Sequence, residues 1–426
     1  MRHSVRFFVA LTLAGTACRL SAQQSLADRV AGANQPRVQF TYAGRPEVCG
    51  DGRSFIRVFN NEWYGSWGGD MDRAPCAAGP VRVVLDRAGR EVVSLTAYAG
   101  PLAETPAGVA DLGRVRARDA AEYLLGLAER SEGRVSRDAV MPALLADSID
   151  VSTRLLAIAR NQDAARQTRS TAITWLSRPL TNVERSVQIV ADALASIAKD
   201  EDDNQNVRQQ ALRTLARLEH GAGTTALIEL SRDTQRGWLA REALSSINSS
   251  GDPRARTYLR EVVRKADAPD DVLASALRTL GGDYATGEDV RLIRDTYTRL
   301  TGERSREAAM SSIAQFGGTD NVRWMLAIAR DANQPIATRR RAVQHAYKGG
   351  GAVTDIIKIY DETTDPQLKE AVMSALVESG EKVATDKLML IARNDESMSM
   401  RRKAISMLGR SSDERVRKFL SDLAER

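Results

Sequence analysis

The chain of 426 residues carries a helical pattern that recurs at nearly equal intervals over most of its length. In each copy an alanine is followed four residues later by Leu, Ile or Ala, which places both side chains on one face of a helix. The pairs are Ala172/Leu176, Ala211/Leu215, Ala243/Ile247, Ala276/Leu280, Ala309/Ile313, Ala342/Ala346, Ala371/Ala375 and Ala404/Leu408. Successive alanines are 39, 32, 33, 33, 33, 29 and 33 residues apart, and Val140/Leu144 fits one earlier copy. Since one helical hairpin cannot bury its apolar side alone, the pattern predicts about nine stacked hairpins that share a core.

A second motif marks the first helix of several hairpins. LLAIAR (Leu155–Arg160) returns as MLAIAR (Met325–Arg330) and LMLIAR (Leu388–Arg393). Together with a second helix of the form R-x-x-A-x-x-x-L, these motifs resemble HEAT repeats, in particular the short bacterial type also seen in bilin lyases. The resemblance covers residues 114–426 and implies an α-solenoid whose second helices line a concave surface. It implies binding or scaffolding more than one particular reaction.

An arginine stands three residues before the anchor in six copies. These are Arg137, Arg169, Arg208, Arg306, Arg339 and Arg401. Acidic or amide residues mark the intervening turns, among them Asp163, Asp203, Asp233, Asp331 and Asn394. The recurrence at one phase favours a structural ladder of charge-assisted Arg–Asp hydrogen bonds between consecutive turns. The alternative is a basic groove that faces a ligand.

The N-terminus is predicted to be a removed leader, residues 1–22. Arg2, His3 and Arg6 precede an apolar run of 11 residues, Phe7–Ala17, which is too short to span a bilayer. Cleavage after Ala22 is expected, with lipid attachment at Cys18 as an alternative. Three arginines leave with the leader, so the formal charge falls from +6 to +3. A nearly balanced exported chain is a poor candidate for nucleic acid binding, which needs a concentrated basic face.

Residues 23–100 are predicted to form a small β-rich module of α+β type. VQFTYA (Val38–Ala43) alternates in polarity, and Val81–Gly100 indicates a hairpin with its turn at Asp86–Gly89. Cys49 and Cys76 are the cysteines that remain after cleavage, and export favours a disulfide between them over two free thiols. Residues 101–113 contain two prolines and two glycines, and this composition indicates a linker before the solenoid at 114–426, which ends in a charged cap.

Three aromatic residues lie between the two cysteines. Trp63, Tyr64 and Trp67 stand in a glycine-rich acidic stretch, where they are a candidate contact for a partner. The alternative is that they fill the base of a small core. Asp51, Asp70 and Asp72 do not match the spacing of a calcium loop.

Motifs that carry chemistry are absent from the sequence. It has no phosphate loop, no nucleophile elbow and no H-E-x-x-H or Cys-x-x-Cys pair. His220 and His345 belong to separate repeats and are interpreted as structural. We therefore expect no catalytic residue, cofactor or metal site.

Two classes of function remain open. The first is a non-enzymatic exported scaffold, periplasmic or secreted, that binds a protein or peptide on the concave face. The second is an accessory subunit or lyase-like enzyme built on the same repeats. The enzyme class requires ionisable groups that converge in one closed pocket across adjacent second helices.

Overall fold

The computed structural model describes residues 24–58, 62–65, 76–102, 104–177, 184–218 and 221–425. They form two compact units, the first ending at Val151 and the second beginning at Ser152. The strands are β1 (Arg37–Tyr42), β2 (Cys49–Gly50), β3 (Phe55–Val58), β4 (Glu62–Gly65), β5 (Ala77–Ala78), β6 (Val81–Ala88), β7 (Glu91–Ala99) and β8 (Val109–Arg114). The helices of the first unit are α1 (Leu26–Ala31), α2 (Ala117–Arg130), α3 (Gly133–Asp138) and α4 (Val140–Leu144).

The main sheet of the first unit has the strand order β7-β6-β1-β8. β1 is antiparallel to β6 and parallel to β8. The predicted hairpin is β6 and β7, but β6 continues to Ala88 and the turn is at Gly89, which has a φ of 63°. The chain turns later than Asp86 because Asp86 is itself paired with Ser94 across the hairpin, and glycine takes positive φ at little cost.

One face of this sheet is apolar and is covered by α2 and α4. Phe40 and Tyr42 of β1 have no exposed surface. The Phe40 ring meets the Tyr123 ring edge-on at 6.0 Å, and the Tyr42 hydroxyl donates to the Pro142 carbonyl at 2.5 Å. Helices α2–α4 contain the Val140/Leu144 anchor that the sequence assigned to the first hairpin of the solenoid. They cluster instead with the sheet, because its buried aromatic face needs a cover.

The segment interpreted as a linker, 101–113, contains most of strand β8. Arg37, Val38 and Gln39 of β1 pair with consecutive residues of β8 from Val109 onwards. The sequence of β8, VADLGR, lacks a clear apolar alternation. Its strand conformation therefore comes from pairing with β1 and not from its own pattern.

A second sheet has the order β4-β3-β2-β5, and the disulfide lies beside it. The structure contains the expected bond between Cys49, in β2, and Cys76, which directly precedes β5, with a Cα–Cα distance of 5.2 Å. Cys49 also pairs through its backbone with Ala78. The bond thus clips together two strands of two residues each, which are too short to hold their pairing alone.

The second unit is an α-solenoid of helical hairpins, which confirms the predicted fold class. The first helices of the hairpins are α5 (Ser152–Arg160), α7 (Glu184–Lys199), α9 (Ala222–Arg232), α11 (Pro253–Lys265), α13 (Gly287–Thr296), α15 (Thr319–Arg330), α17 (Val353–Glu362) and α19 (Lys382–Asn394). The second helices are α6 (Arg166–Trp175), α8 (Gln205–Ala216), α10 (Gly237–Ile247), α12 (Asp270–Leu280), α14 (Glu303–Phe316), α16 (Ile336–Lys348), α18 (Pro366–Ser379) and α20 (Met398–Leu408). Helix α21 (Glu414–Ala424) follows the last hairpin.

The alanine anchors and their partners four residues later form the core of the solenoid. The alanines at 172, 211, 243, 276, 309, 342 and 404 have no exposed surface, and Ala371 is 3% exposed. Their small side chains allow neighbouring second helices to pack closely.

The glycines that follow these helices do not all adopt the positive φ of a left-handed cap. Gly317 has a φ of 73°, whereas Gly281, Gly349 and Gly409 end their helices at negative φ.

Candidate interaction surface of the second helices

The solvent-facing sides of α6, α8, α10, α12, α14, α16, α18 and α20 are called here the second-helix surface. Within the second unit each of these helices packs on its own first helix and on neighbouring second helices. The apolar anchors point into the core, and the remaining faces present mainly polar side chains, with exposed apolar ones such as Phe316, Val377 and Met398 among them. This surface is the one that the repeat resemblance implied for binding.

The second-helix surface carries an excess of positive charge. Helix α16 has four cationic residues and no acidic one, and α20 has three cationic residues and no acidic one. Helices α6 and α8 each contain two arginines and no acidic residue. Arg213, Arg340 and Arg402 are exposed on three of these helices. Their guanidinium groups have no carboxylate partner among the described residues, and they therefore remain available to an acidic ligand.

Four of the six arginines that precede the anchors by three residues donate to a main-chain carbonyl at the end of the preceding helix or turn, and not to a turn carboxylate. Nε of Arg208 donates to the Ala198 carbonyl at 3.1 Å, and Nε of Arg339 donates to the Ala329 carbonyl at 2.9 Å. Arg306 bonds the Leu300 carbonyl at 2.6 Å, and Arg401 bonds the Asp395 carbonyl at 2.6 Å. The last carbonyls of a helix lack partners within that helix and carry partial negative charge. These arginines therefore join the two helices of one hairpin.

Arg169 makes both kinds of contact. Its Nε donates to the Ala159 carbonyl at 2.9 Å within its own hairpin. Its two terminal nitrogens donate to Asp203 of the next hairpin at 2.7 and 2.5 Å. Both side chains are almost fully buried, with 5% and 3% exposed. Arg137 differs, since it lies exposed on the short helix α3 of the first unit.

Side chains on the second-helix surface also bridge consecutive repeats. Gln209 donates to Glu242 at 2.8 Å, Arg241 bonds Asp271, and Lys403 pairs with Glu370 at 3.2 Å. Each bridge joins helices one repeat apart. These contacts use up part of the charge on the surface and fix the stacking of neighbouring helices.

Arg208 also lies over the ring of Trp238, with 4.6 Å from its guanidinium carbon to the ring centroid. Such stacking of a cation on an aromatic face is favourable. Trp238 was not among the residues predicted from the sequence. Arg208 and Trp238 are 30 residues apart, which is close to one repeat, and this spacing could have indicated that they occupy similar positions on neighbouring second helices.

His345 and Glu307 form an ionisable pair between α16 and α14. His345 is 9% exposed, and its Nε2 lies 2.8 Å from Glu307 Oε1. The hydrogen bond with His345, together with the charges of His345, Arg341 and Lys348, lowers the pKa of Glu307 although burial opposes this. Arg341 also bonds Glu303 at 2.5 Å. These contacts join α14 and α16, which agrees with a structural role for His345. They leave Glu307 Oε2 without a hydrogen bond, 3.4 Å from Arg341 Nε.

The other candidate residues belong to the first unit or lie outside the described residues. Trp63 and Tyr64 have backbone positions in β4, paired with Arg57 and Ile56 of β3. Trp67, Cys18, Asp70, Asp72 and His220 lie outside the described residues. The partner contact suggested for the three aromatic residues therefore remains a prediction.

Across the described ranges, no group of three or more His, Cys, Asp or Glu side chains is arranged to hold a metal ion. In the same part of the chain, no helix is long and apolar enough to cross a membrane.

Comparison with known proteins identifies repeats in one part of the chain. Residues 191–281 match the family described as HEAT repeats. Human deoxyhypusine hydroxylase in complex with glycerol is 15% identical, with a TM-score of 0.25, over 61% of this chain and 94% of that one. A homology model of the full-length AP-3 complex in an intermediate open conformation is 11% identical, with a TM-score of 0.27, over 73% and 69%. No curated protein gives a significant match. The second unit is a helical repeat fold, and residues 191–281 within it are similar to HEAT repeats.

Proposed function

We propose that the protein is a non-enzymatic exported scaffold whose second-helix surface binds an acidic segment of a protein partner. The observation that carries the proposal is the charge of α6, α8, α16 and α20, which contain cationic side chains and no carboxylate. A broad face of guanidinium groups favours extended acidic chains, because each carboxylate can accept two parallel hydrogen bonds.

The arrangement of the ionisable groups favours a scaffold over the enzyme alternative. A catalytic site needs an acid, base or nucleophile that converges on one pocket. Glu303 and Glu370 pair instead with cations one repeat away, and Glu242 accepts from the side-chain amide of a glutamine one repeat away. We therefore retain the accessory-subunit or lyase-like alternative without a residue to support it.

Export is part of the proposal and rests on the leader-like sequence of residues 1–22. The Cys49–Cys76 disulfide is consistent with an oxidising compartment, where such bonds form and persist. The mass of the protein recovered from its native cells tests this. We expect a chain that begins at Gln23, whereas an acylated chain that begins at Cys18 would support the lipoprotein alternative. A chain that keeps residues 1–22 would contradict export.

The binding proposal is tested with three charge reversals on the second-helix surface, Arg213→Glu, Arg340→Glu and Arg402→Glu. The matched control reverses three exposed cations on other helices, Arg264→Glu in α11, Arg291→Glu in α13 and Arg417→Glu in α21. Both triple variants have the same net charge, so any difference in binding between them reflects the positions of the substituted residues. Poly-L-glutamate is the probe, and its binding is measured by fluorescence anisotropy at two salt concentrations.

We expect the second-helix variant to lose at least about tenfold in affinity while the control variant changes little. The wild-type affinity should fall as salt rises, since exposed charges are screened. Equal losses in the two variants would show attraction by net charge alone and would contradict the proposed surface. A capture experiment from the native envelope fraction then compares the same two variants, and the partner should be missing from the second-helix variant only.

A further inference from the structure

A cavity of about 680 Å³ lies on the second face of the main sheet, within the first unit. Its floor is the outward side of β1, where Gln39 and Thr41 alternate with the core residues Val38, Phe40 and Tyr42. Leu102, Glu104 and Thr105, between β7 and β8, and the residues before β6 form its walls. The volume lies within the range of small-molecule sites.

Strand register arranges the polar lining in two rows. Thr41 pairs with Arg82 of β6 on one side and with Arg114 of β8 on the other. Two residues earlier along β1, Gln39 pairs with Asp111 of β8. Asp111 and Arg114 are three residues apart in β8, against two for their partners in β1, and this shift in register leaves both β8 residues lining the cavity. One row is therefore basic, and the next carries hydrogen-bond acceptors. The two rows are separated by about 6.6 Å, which is two residues of a strand.

The basic row contains a guanidinium group that is mostly out of solvent. Arg82 is 8% exposed, donates to the Gly52 carbonyl at 2.9 Å and lies 4.8 Å from the centroid of the Tyr98 ring. Arginine has five N–H donors, so most of those on Arg82 lack an acceptor among the described residues. Arg114 adds an exposed guanidinium group at the same row. The row is therefore suited to a carboxylate.

The acceptor row contains an unsatisfied buried oxygen. Gln39 is 3% exposed, and its Nε2 donates to Thr105 at 2.8 Å and to Asp111 at 2.9 Å. This orientation is fixed because a carboxylate only accepts. Its Oε1 has no hydrogen-bond partner in the structure, a state that costs about 1–3 kcal/mol for a buried group. Glu104 lines the same end of the cavity with an exposed carboxylate.

We propose that this cavity binds a short peptide of about two residues with both termini free. Arg82 and Arg114 hold its carboxylate, while Glu104 accepts hydrogen bonds from its ammonium group. An extended dipeptide spans about 7 Å, which matches the separation of the rows. Ala43, Pro46 and Leu102 also line the cavity and contact the apolar part of the ligand. The proposal does not depend on the function of the second-helix surface.

The test uses the full chain and three probes that differ only at their ends. Alanyl-alanine has both charges, N-acetyl-alanyl-alanine keeps only the carboxylate, and alanyl-alanine amide keeps only the ammonium group. Isothermal titration calorimetry with the unaltered protein should give binding of alanyl-alanine, with each capped probe at least about tenfold weaker. Equal binding of either capped probe, or no binding of alanyl-alanine up to about 10 mM, would overturn the proposal.

Two variants assign the ends of the ligand. Glu104→Gln should weaken alanyl-alanine and leave N-acetyl-alanyl-alanine unchanged, whereas Arg114→Gln should weaken both. The matched controls are Glu91→Gln and Arg90→Gln, which lie exposed at the β6–β7 turn and do not line the cavity. Circular dichroism of each variant establishes that it is folded. Losses of the same size in the control variants would also overturn the proposal.

Discussion

Arg169 and Asp203, which are 34 residues apart in the sequence, form a buried bidentate ion pair that joins two consecutive repeats. The Asp203 carboxylate also accepts from the backbone N–H of Asn204 at 2.6 Å. Removing both charges from water is costly, and the bonds offset that cost only while both partners are present. The pair therefore specifies how these two hairpins stack.

Replacing one partner should be more harmful than replacing both. Asp203→Ala leaves the Arg169 charge buried without a counter-ion, and we expect a loss of about 3–5 kcal/mol in the free energy of unfolding. The double variant Arg169→Leu/Asp203→Leu should lose less than Asp203→Ala. Urea unfolding followed by circular dichroism measures the difference. The neighbouring exposed Asp202→Ala is the control, and an equally small effect at both positions would contradict a buried pair.

Arg339 is expected to matter although no carboxylate contacts it in the described structure. Arg339→Gln removes the bond to the Ala329 carbonyl, which closes the end of α15, and should cost about 1–3 kcal/mol. The adjacent exposed Arg340→Gln should stay within about 0.5 kcal/mol. Thermal unfolding of the two variants side by side decides this. Equal shifts would mean that the helix-end bond contributes little.

The repeat could be read from the sequence because its signal is apolar burial at fixed intervals. The positions of the arginines were equally visible, but most of their partners were not. Any residue type can supply a main-chain carbonyl at a helix end, so the sequence does not reveal such an acceptor. The sequence pattern therefore predicted acidic turn partners for Arg208 and Arg339, whereas both donate to main-chain carbonyls, those of Ala198 and Ala329. The partner of Arg169 could be predicted from the sequence because it is the side-chain carboxylate of Asp203.

The first unit was harder to predict because its elements depend on one another. Strand β8 forms by pairing with β1, and its own residues gave no strand pattern. Helices α2–α4 look like a repeat hairpin, and only the aromatic face of β1 decides which core they cover. The cavity could not be predicted either, because it depends on the register that brings Arg82, Thr41 and Arg114 together.

The disulfide should stabilise the first unit chiefly by restricting its unfolded chain. The double variant Cys49→Ser/Cys76→Ser opens a loop of 27 residues in sequence separation and should cost about 3 kcal/mol. Reductant should give the wild-type protein the same lower melting temperature and leave the variant unchanged. Alkylation without reductant should label neither cysteine. Labelling of both would contradict the bond.

Asp289 links the stability of the second unit to pH. Its side chain has no exposed surface and accepts from Arg260 at 2.6 Å and from the Thr286 hydroxyl at 2.6 Å. Burial raises the pKa of this carboxyl group, but the bonds from Arg260 and Thr286 and the charge of Arg256 outweigh it and hold the pKa below its ordinary value of 3.8. The folded state therefore binds a proton less readily than the unfolded state.

The stabilisation from ionised Asp289 is fully present above the unfolded-state pKa and is lost as pH falls through the lower folded-state pKa. Asp289→Asn should therefore be less stable than wild type by about 2–4 kcal/mol at neutral pH, and this gap should close only below pH 3.8. Urea unfolding of both proteins from neutral pH into this acidic range measures the gap. Asp320→Asn, whose side chain is 81% exposed, is the control and should show a small gap at every pH. A gap for Asp289→Asn that stays constant into strong acid would show that the carboxylate charge is not the source of the stability.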